Sequence, residues 1–310
     1  MSCKNLERND ILMKRNLSLI LVIVLLVGII TGCSKSTTPP ADNPSSSFDA
    51  NKTINLVSRE DGSGTRGAFV EIVGILEKDS SGNEVDRTYE EAIIQNSTDA
   101  VMTTVAGDKY SIGYISLGSL NDTVKAIKVE NVEATADNVK NGSYKIARPF
   151  NLAYRDDISA LAKDFLNFVL SKDGQDIVTK GKYVSVSNDL PSYTPLDQKG
   201  DIVVAGSTSV TPIVEKLAEA YQGLNQGVNI EIQSTGSSAG IQSVMEGTAD
   251  IGMASRELKD SELKVLKSEV IAIDGIAVIT GKENIIDDIT IDQIKSIYIG
   301  EITKWNEVAK

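Results

Sequence analysis

Three times along this chain a short apolar run ends in a cluster of Ser, Thr and Gly, then passes directly into a segment with helical apolar spacing. The first unit runs from Ile54–Val57 through Ser58-Arg59-Glu60-Asp61-Gly62-Ser63-Gly64-Thr65-Arg66 into Gly67–Val73. The second runs from Ile202–Ala205 through Gly206-Ser207-Thr208-Ser209 into Val210, Ile213, Val214, Leu217, Ala218, Tyr221 and Leu224, spaced i, i+3, i+4, i+7. The third runs from Val228–Gln233 through Ser234–Gly240 into a segment carrying Ile241, Val244 and Met245. Repeated strand–loop–helix units define an α/β chain. Each unit also leaves the first N–H groups of a helix unpaired at the positive end of its dipole, a ready site for an anion. One such loop is an ordinary cap, and Thr208 or Ser209 is the expected N-cap of the second helix. Three loops, all rich in hydroxyls and glycines, point to convergence on one small oxyanion.

The loop at Ser58–Arg66 carries the most chemistry. Arg59 offers a fixed fork of donors suited to an oxyanion, and Ser63 and Thr65 add hydroxyls. Asp61 fits an anion site only if the ligand carries a proton to donate to it. Gly62–Gly67 also matches G-x-G-x-x-G, but no strand ending in an acidic residue follows at the spacing a dinucleotide fold uses. Gly236-Ser237-Ser238-Ala239-Gly240 matches the G-x-S-x-G nucleophile elbow, yet the chain has no histidine to take the serine proton. No Gly-Lys-Ser/Thr follows either loop, so a phosphate-transfer P-loop is excluded as well.

The absence of histidine removes Ser-His-Asp and Cys-His nucleophile systems, most zinc sites and the usual general base. The expectation is a binding protein: not an enzyme, without cofactor or metal. With 310 residues, 41% of them hydrophobic, the chain can build two domains with real cores. Its net charge of −12 argues against nucleic acid or an anionic membrane surface as partner. Any anion captured here is held by local donors against the field of the whole molecule.

The N-terminus reads as an export signal. Lys14 and Arg15 precede an apolar run from Leu17 to Ile30, which ends in Thr31-Gly32-Cys33. That end resembles a bacterial lipobox, which implies cleavage after residue 32 and lipidation of Cys33. Residues 1–33 are assigned to the signal, and Met13 is a candidate true start. Residues 34–50, rich in Ser, Thr, Pro, Asn and Asp, read as a flexible stalk. The remaining cysteine, Cys3, lies on the discarded side, so no disulfide is expected.

Elsewhere, Ser111–Ser116 and Ala147–Tyr154 read as strands, Ala160–Leu170 as a helix with a strong apolar face, and Ala249–Arg256 as strand plus turn. Glu77–Asp86 reads as a surface loop and residues 188–200, with two prolines, as a linker. The charged run Lys259–Lys267 reads as a solvated helix face, and Trp305 as a packing residue rather than a ligand contact.

Taken together, Gly206–Pro212, Gly236–Gly240, Asp250–Glu257, Ser58–Arg66 and Ile112–Leu120 resemble the substrate-binding lipoproteins of phosphate ABC transporters, the PstS-like family. The resemblance extends from about Lys52 to the end. It implies an α/β, two-lobed periplasmic-binding-protein-like (type II) clamp with a hinge, closing over phosphate. The order differs from the family's, in which the Gly-Ser-Thr-Ser segment comes first and the segment ending Gly300–Val308 runs into the Ser-Arg-Glu-Asp loop. A circular permutation is therefore implied, with residues 188–200 joining the family's usual ends. Crossovers are expected near Ile146–Leu152 and Ile271–Ile276. They divide the chain into a discontinuous lobe (51–147 plus 275–310) and a continuous one (148–274).

Carried over residue by residue, the resemblance implies ligand contacts from Thr208, Ser209, Ser237, Arg59, Asp61, Ser63, Gly64 and Thr65. Ser255 stands where the best-known members have an aspartate, which makes it a donor here and leaves Asp61 as the sole carboxylate acceptor. The implied role is extracytoplasmic capture of inorganic phosphate by a lipid-anchored monomer for delivery to an ABC permease, with no nucleic-acid partner. Two rival readings keep the clamp. One binds another oxyanion (sulfate, molybdate or tungstate), against which Asp61 counts; the other is a surface sensor or adhesin without transport.

Overall fold

In the computed structural model, which describes residues 48–308 apart from 188 and 197, all three units fold as strand, loop and helix. The first is β1 (Asn55–Arg59) leading to α1 (Gly64–Ile72). A unit not singled out in the sequence follows, β2 (Ile93–Gln95) leading to α2 (Thr98–Ala106). Then come β3 (Ser111–Ser116), β4 (Ala147–Tyr154), α3 (Ala160–Val169) and α4 (Lys172–Lys180). The second expected unit is β5 (Lys199–Gly206) and α5 (Thr211–Leu224); the third is β6 (Gly227–Gln233) and α6 (Ser237–Glu246). β7 (Ile251–Ala254), β8 (Lys267–Thr280) and α7 (Ile291–Tyr298) complete the elements that matter here. The signal segment, Met13 and Cys33 lie outside the described residues.

The strands share one sheet in the order β6-β5-β7-β4-β8-β3-β1-β2. β6, β5 and β7 form one parallel block, and β3, β1 and β2 another. Parallel strands need helical crossovers, which is why each unit carries a helix. Between the blocks lie β4 and β8, antiparallel to each other and to their neighbours. β8 pairs with β4 through Gly275 and with β3 from Ile276 onward, so one strand runs from block to block. Its apolar run Ile276–Ile279 is buried throughout, as a central strand covered on both faces requires.

Burial separates at the same place. One core gathers residues between Ile54 and Ile146 with residues between Ile276 and Val308; it includes Phe69, Tyr114, Tyr298 and Trp305. A second gathers residues from Phe150 to Ala272, with Phe165, Phe168 and Tyr221 at its centre. A smaller cluster under α6 and β7 adjoins the second. Helix α3 shows how pattern becomes packing. Leu161, Ala162, Phe165, Leu166, Phe168 and Val169 are buried, and Ser159 caps its first turn by accepting from Ala162 N at 3.1 Å.

Several readings need adjustment. Phe48, read as part of the stalk, packs instead: its ring meets Tyr110 at 5.1 Å and Trp305 at 5.9 Å. The segment 188–200 is anchored rather than loose: Tyr193 donates to the buried Asp164 at 2.7 Å, a carboxylate that Tyr221 also donates to. Part of the Glu77–Asp86 loop is a hairpin, with Leu76–Lys78 pairing Glu84–Asp86. Met245 faces outward. Within Lys259–Lys267, Glu262 is buried on the guanidinium of Arg256 at 2.8 Å, so that face is not simply solvated.

Candidate functional site

Parallel strands in both blocks end on the same gap between the cores, and the loops that follow them meet there. β1 delivers Arg59 through Thr65, β5 delivers Ser207 through Ser209, β6 delivers Ser237, and β7 delivers Ser255. Helices α1, α2, α5 and α6 all begin at this point, so four sets of unpaired N–H groups and four positive dipole ends converge.

The hydroxyls of these loops touch one another directly. Thr65 Oγ1 and Ser209 Oγ share a hydrogen bond of 2.7 Å across the gap. Thr98 Oγ1, at the start of α2, lies 3.0 Å from Ser209 Oγ and 3.3 Å from Thr208 Oγ1. On the other side, Ser207 Oγ donates to Ser255 Oγ at 2.9 Å, and Ser255 N donates to Ser237 Oγ at 3.2 Å. Ser237 Oγ and Ser255 Oγ are 3.4 Å apart. Gly64 closes the group. A Cβ on it would stand 2.4 Å from Ser237 Oγ and 2.7 Å from Ser255 Oγ, so only a residue without a side chain fits. Ser63, Thr65, Thr98, Ser207, Ser209, Ser237 and Ser255 are all buried.

Thr208 and Ser209 do not cap α5. Its N-cap is Val210, with no side-chain cap hydrogen bond, because Ser207 supplies the local contacts instead. Ser207 Oγ accepts from Ser209 N at 3.2 Å, and its carbonyl accepts from Thr211 N at 3.0 Å. The two hydroxyls expected to close the helix end are thereby left facing the gap. α6 likewise lacks a side-chain cap. Ser63 and Ser97 do behave as caps, accepting from Arg66 N at 3.3 Å and from Ala100 N at 3.1 Å.

Arg59 is the one guanidinium in the cluster and is 2% exposed. Its backbone N–H donates to Tyr114 OH at 3.2 Å, and that ring stacks on Phe69 with centroids 4.0 Å apart. Its Nη2 reaches Thr208 Oγ1 at 3.1 Å. Asp61 does not join. Its side chain is 96% exposed and pairs with Arg66 at 3.0 Å, while Arg66 also holds Asp86 and the Arg59 carbonyl. The physical reason lies in the turn. Gly62, at φ +86°, turns the chain so that its carbonyl accepts from Ser238 N across the gap while Asp61 stays on the solvent side. Of the nine sequence-derived contacts, the structure brings Arg59, Ser63, Gly64, Thr65, Thr208, Ser209, Ser237 and Ser255 together and leaves Asp61 out.

Thr98 was missed by sequence reasoning. A signal exists: Ile93-Ile94-Gln95 followed by Asn96-Ser97-Thr98 and the apolar pair Val101 and Val105 is a fourth, shorter version of the same unit.

A second polar group sits where the crossing strands pair. Asp274 on β8 accepts from Arg148 Nη2 on β4 at 3.2 Å, and from Ser116 Oγ at the end of β3 at 3.0 Å. All three side chains are buried. Burial pushes the Asp274 carboxyl up to about 6, against the pull of Arg148 and Ser116. A cavity of 490 Å³ bounded by Leu117, Leu120, Tyr183 and Val184 contains none of the clustered hydroxyls. Its lining is largely apolar, and the anion-binding chemistry lies elsewhere.

Comparison with known proteins follows this geometry. The PBP superfamily domain profile matches residues 41–173 and 191–310. The phosphate-binding protein PstS 2 of Streptococcus agalactiae serotype V is 47% identical over 297 residues, spanning 95% of this chain and 98% of that one. A crystal structure of a phosphate ABC transporter, phosphate-binding protein from Streptococcus pneumoniae TIGR4 superposes with a TM-score of 0.67 at 46% identity. It covers 83% of this chain and 100% of that one. The phosphate-binding protein PstS of Staphylococcus saprophyticus aligns over only 118 residues at 33% identity, 36% of this chain and 37% of that one.

Proposed function

The chain belongs to the PstS-like family of phosphate-binding proteins within the PBP superfamily, and from that premise we propose that it captures inorganic phosphate outside the membrane for an ABC permease. The observation that carries this reading is the donor set: four helix N-termini, seven Ser or Thr hydroxyls from different loops and one buried guanidinium. Dehydrating an oxyanion is costly unless each oxygen finds a donor, and this set supplies donors with a single formal charge. A hydroxyl can also accept. The cluster can therefore meet the P–OH of hydrogenphosphate as well as its bare oxygens, without the carboxylate that Asp61 was expected to provide.

We take the chain to bind without turnover. The Ser237 hydroxyl is bonded to the hydroxyl and amide of Ser255, and the chain has no histidine to take its proton. We take the two cores to be the lobes of a clamp, hinged where β4 and β8 cross, with lipidation at Cys33 tethering a single copy to the outer face of the membrane.

We also hold the chain to be circularly permuted. Support comes from the ends of the described chain, which lie side by side: Ile54 N donates to Thr303 O at 2.8 Å, and Asn306 N to Ala50 O at 2.7 Å. A chain in the other order could run straight through this point. The full-length alignment with one relative and the one-third-length alignment with another fit two orders of the same parts.

Calorimetric titration of the full chain in detergent, stripped of ligand, tests the function with phosphate and then sulfate at matched pH. One-to-one phosphate binding without sulfate binding is the expected result. Binding of sulfate instead would favour the rival oxyanion reading, and a folded protein that binds neither would end both.

A further inference from the structure

The carboxylate that stands at the site is Glu60, one residue before the one that sequence reasoning chose. Its Oε2 accepts from Arg59 Nε at 2.8 Å, and its Oε1 accepts from Arg59 Nη2 at 2.8 Å. That is the two-point, coplanar geometry in which a carboxylate fixes a guanidinium most firmly. Glu60 is only partly exposed, at 26%, whereas Asp61 is at 96%. It also reaches across the gap, because its Oε1 would lie 3.6 Å from a Cβ placed on Gly236, the residue before α6.

We propose that Glu60 is the positioning residue of the phosphate site: by gripping Nε and Nη2 of Arg59 it fixes the guanidinium so that Nη2 also donates to Thr208, at the edge of the hydroxyl cluster. The inference rests on the phosphate-binding reading and adds to it the residue that sets the aim of its buried guanidinium. Three constraints converge on Arg59. Tyr114 OH holds its backbone N–H, Arg66 Nη1 holds its carbonyl at 2.9 Å, and Glu60 holds its head. The first two fix where the side chain starts, and a long side chain still keeps several rotamers from there. Glu60 removes that freedom. It also neutralises Arg59, so the anion is held mainly by hydroxyls and amides. Asp61 has no part in this; it serves the outer brace built on Arg66.

The test uses the full chain in detergent, with E60Q and D61N variants and two measurements. The first is the Arg59 Nε–H resonance of the ligand-free protein, identified by its loss in R59Q. It is expected to be resolved and slow to exchange in wild type and in D61N, and lost in E60Q, because Gln offers one acceptor where the fork needs two. The second is phosphate affinity by calorimetry. Loss of about tenfold or more is expected for E60Q and less than about twofold for D61N, with melting temperatures of the ligand-free proteins within about 3 °C of each other. A resonance that persists in E60Q, or that exchanges as fast as a free guanidinium in wild type, overturns the inference. So does unchanged or tighter phosphate binding by E60Q, or an equal loss in D61N. If E60Q fails to fold, the wild-type and D61N resonances decide. Absence of phosphate binding by the wild type would overturn the functional reading itself, and the ligand-free resonance separates that failure from this one.

Discussion

Gly64→Ala should separate affinity from stability. Gly64 is the first residue of α1, and replacing a helical Gly by Ala gains up to about 1 kcal/mol in helix propensity. The three atoms nearest the new methyl are Ser237 Oγ at 2.4 Å, Ser255 Oγ at 2.7 Å and Ser237 Cβ at 3.1 Å, all across the gap. Relieving those contacts means turning both hydroxyls away or holding the gap open by several tenths of an ångström. Either way two donors stop converging on the ligand. A hydrogen bond to a charged group contributes about 1.5–3 kcal/mol, so losing two costs at least about 3 kcal/mol. At 1.4 kcal/mol per decade, phosphate should bind on the order of a hundredfold more weakly. Calorimetry gives the affinity and thermal melting of the ligand-free protein gives the stability, which should be unchanged or slightly raised. Phosphate affinity within about threefold of wild type would refute the reasoning, because the methyl would then have been accommodated without moving the donors. A large fall in melting temperature would also refute it, since that would place the clash inside a core.

Thr98→Val keeps shape and removes one hydroxyl that meets both Thr208 and Ser209. Phosphate affinity should fall by about ten- to a hundredfold, the worth of one hydrogen bond to a charged ligand, and a calorimetric value equal to wild type would remove Thr98 from the site. Gly240→Ala should destabilise without any specific effect on ligand. Its Cβ would lie 2.3 Å from Gly206 Cα and 2.4 Å from the Ala205 carbonyl, backbone that cannot swing aside. A loss of about 1–3 kcal/mol in urea denaturation is expected. The Asp274 carboxyl, raised by burial to about 6 from an ordinary 3.8, should titrate near pH 6 by carbon NMR, and a midpoint below 4.5 would contradict its placement. Its folded value lies above its unfolded one. The stability it contributes is thus fully present below about pH 4 and is lost as pH rises through 6.

Much of this was legible from local pattern, because the features involved are local. The second and third units were read as the right elements, although β5 begins three residues earlier, at Lys199, and α6 already at Ser237; Ser111–Ser116 and Ala147–Tyr154 match strand for strand. Loops ending the parallel strands of one block must emerge on one side, so convergence within each block followed from topology; that the two blocks, which run in opposite directions across β4 and β8, aim at one gap did not. What was not legible depended on short-range geometry with no periodicity. Whether Glu60 or Asp61 faces inward is decided by a single positive-φ turn at Gly62. Whether Thr208 and Ser209 cap α5 or serve the gap is decided by Ser207 bonding first. Thr98 was lost because β2 has three residues, too few to show alternation.

The division of the two cores along the chain also bears on synthesis. The core built between Phe150 and Ala272 is complete as soon as β8 leaves the ribosome, since every segment it needs lies in one uninterrupted stretch. The other core, although its first residues emerge earliest, lacks Ile276–Ile279, Tyr298 and Trp305 until the last part of the chain is made. Domains generally fold as they are made, the N-terminal one first. Here that order is inverted: the half that emerges first must wait, with Phe69 and Tyr114 uncovered, until the newest residues close it. For an exported chain, which has to stay unfolded until it has crossed the membrane, a leading half that cannot complete its core early is an advantage.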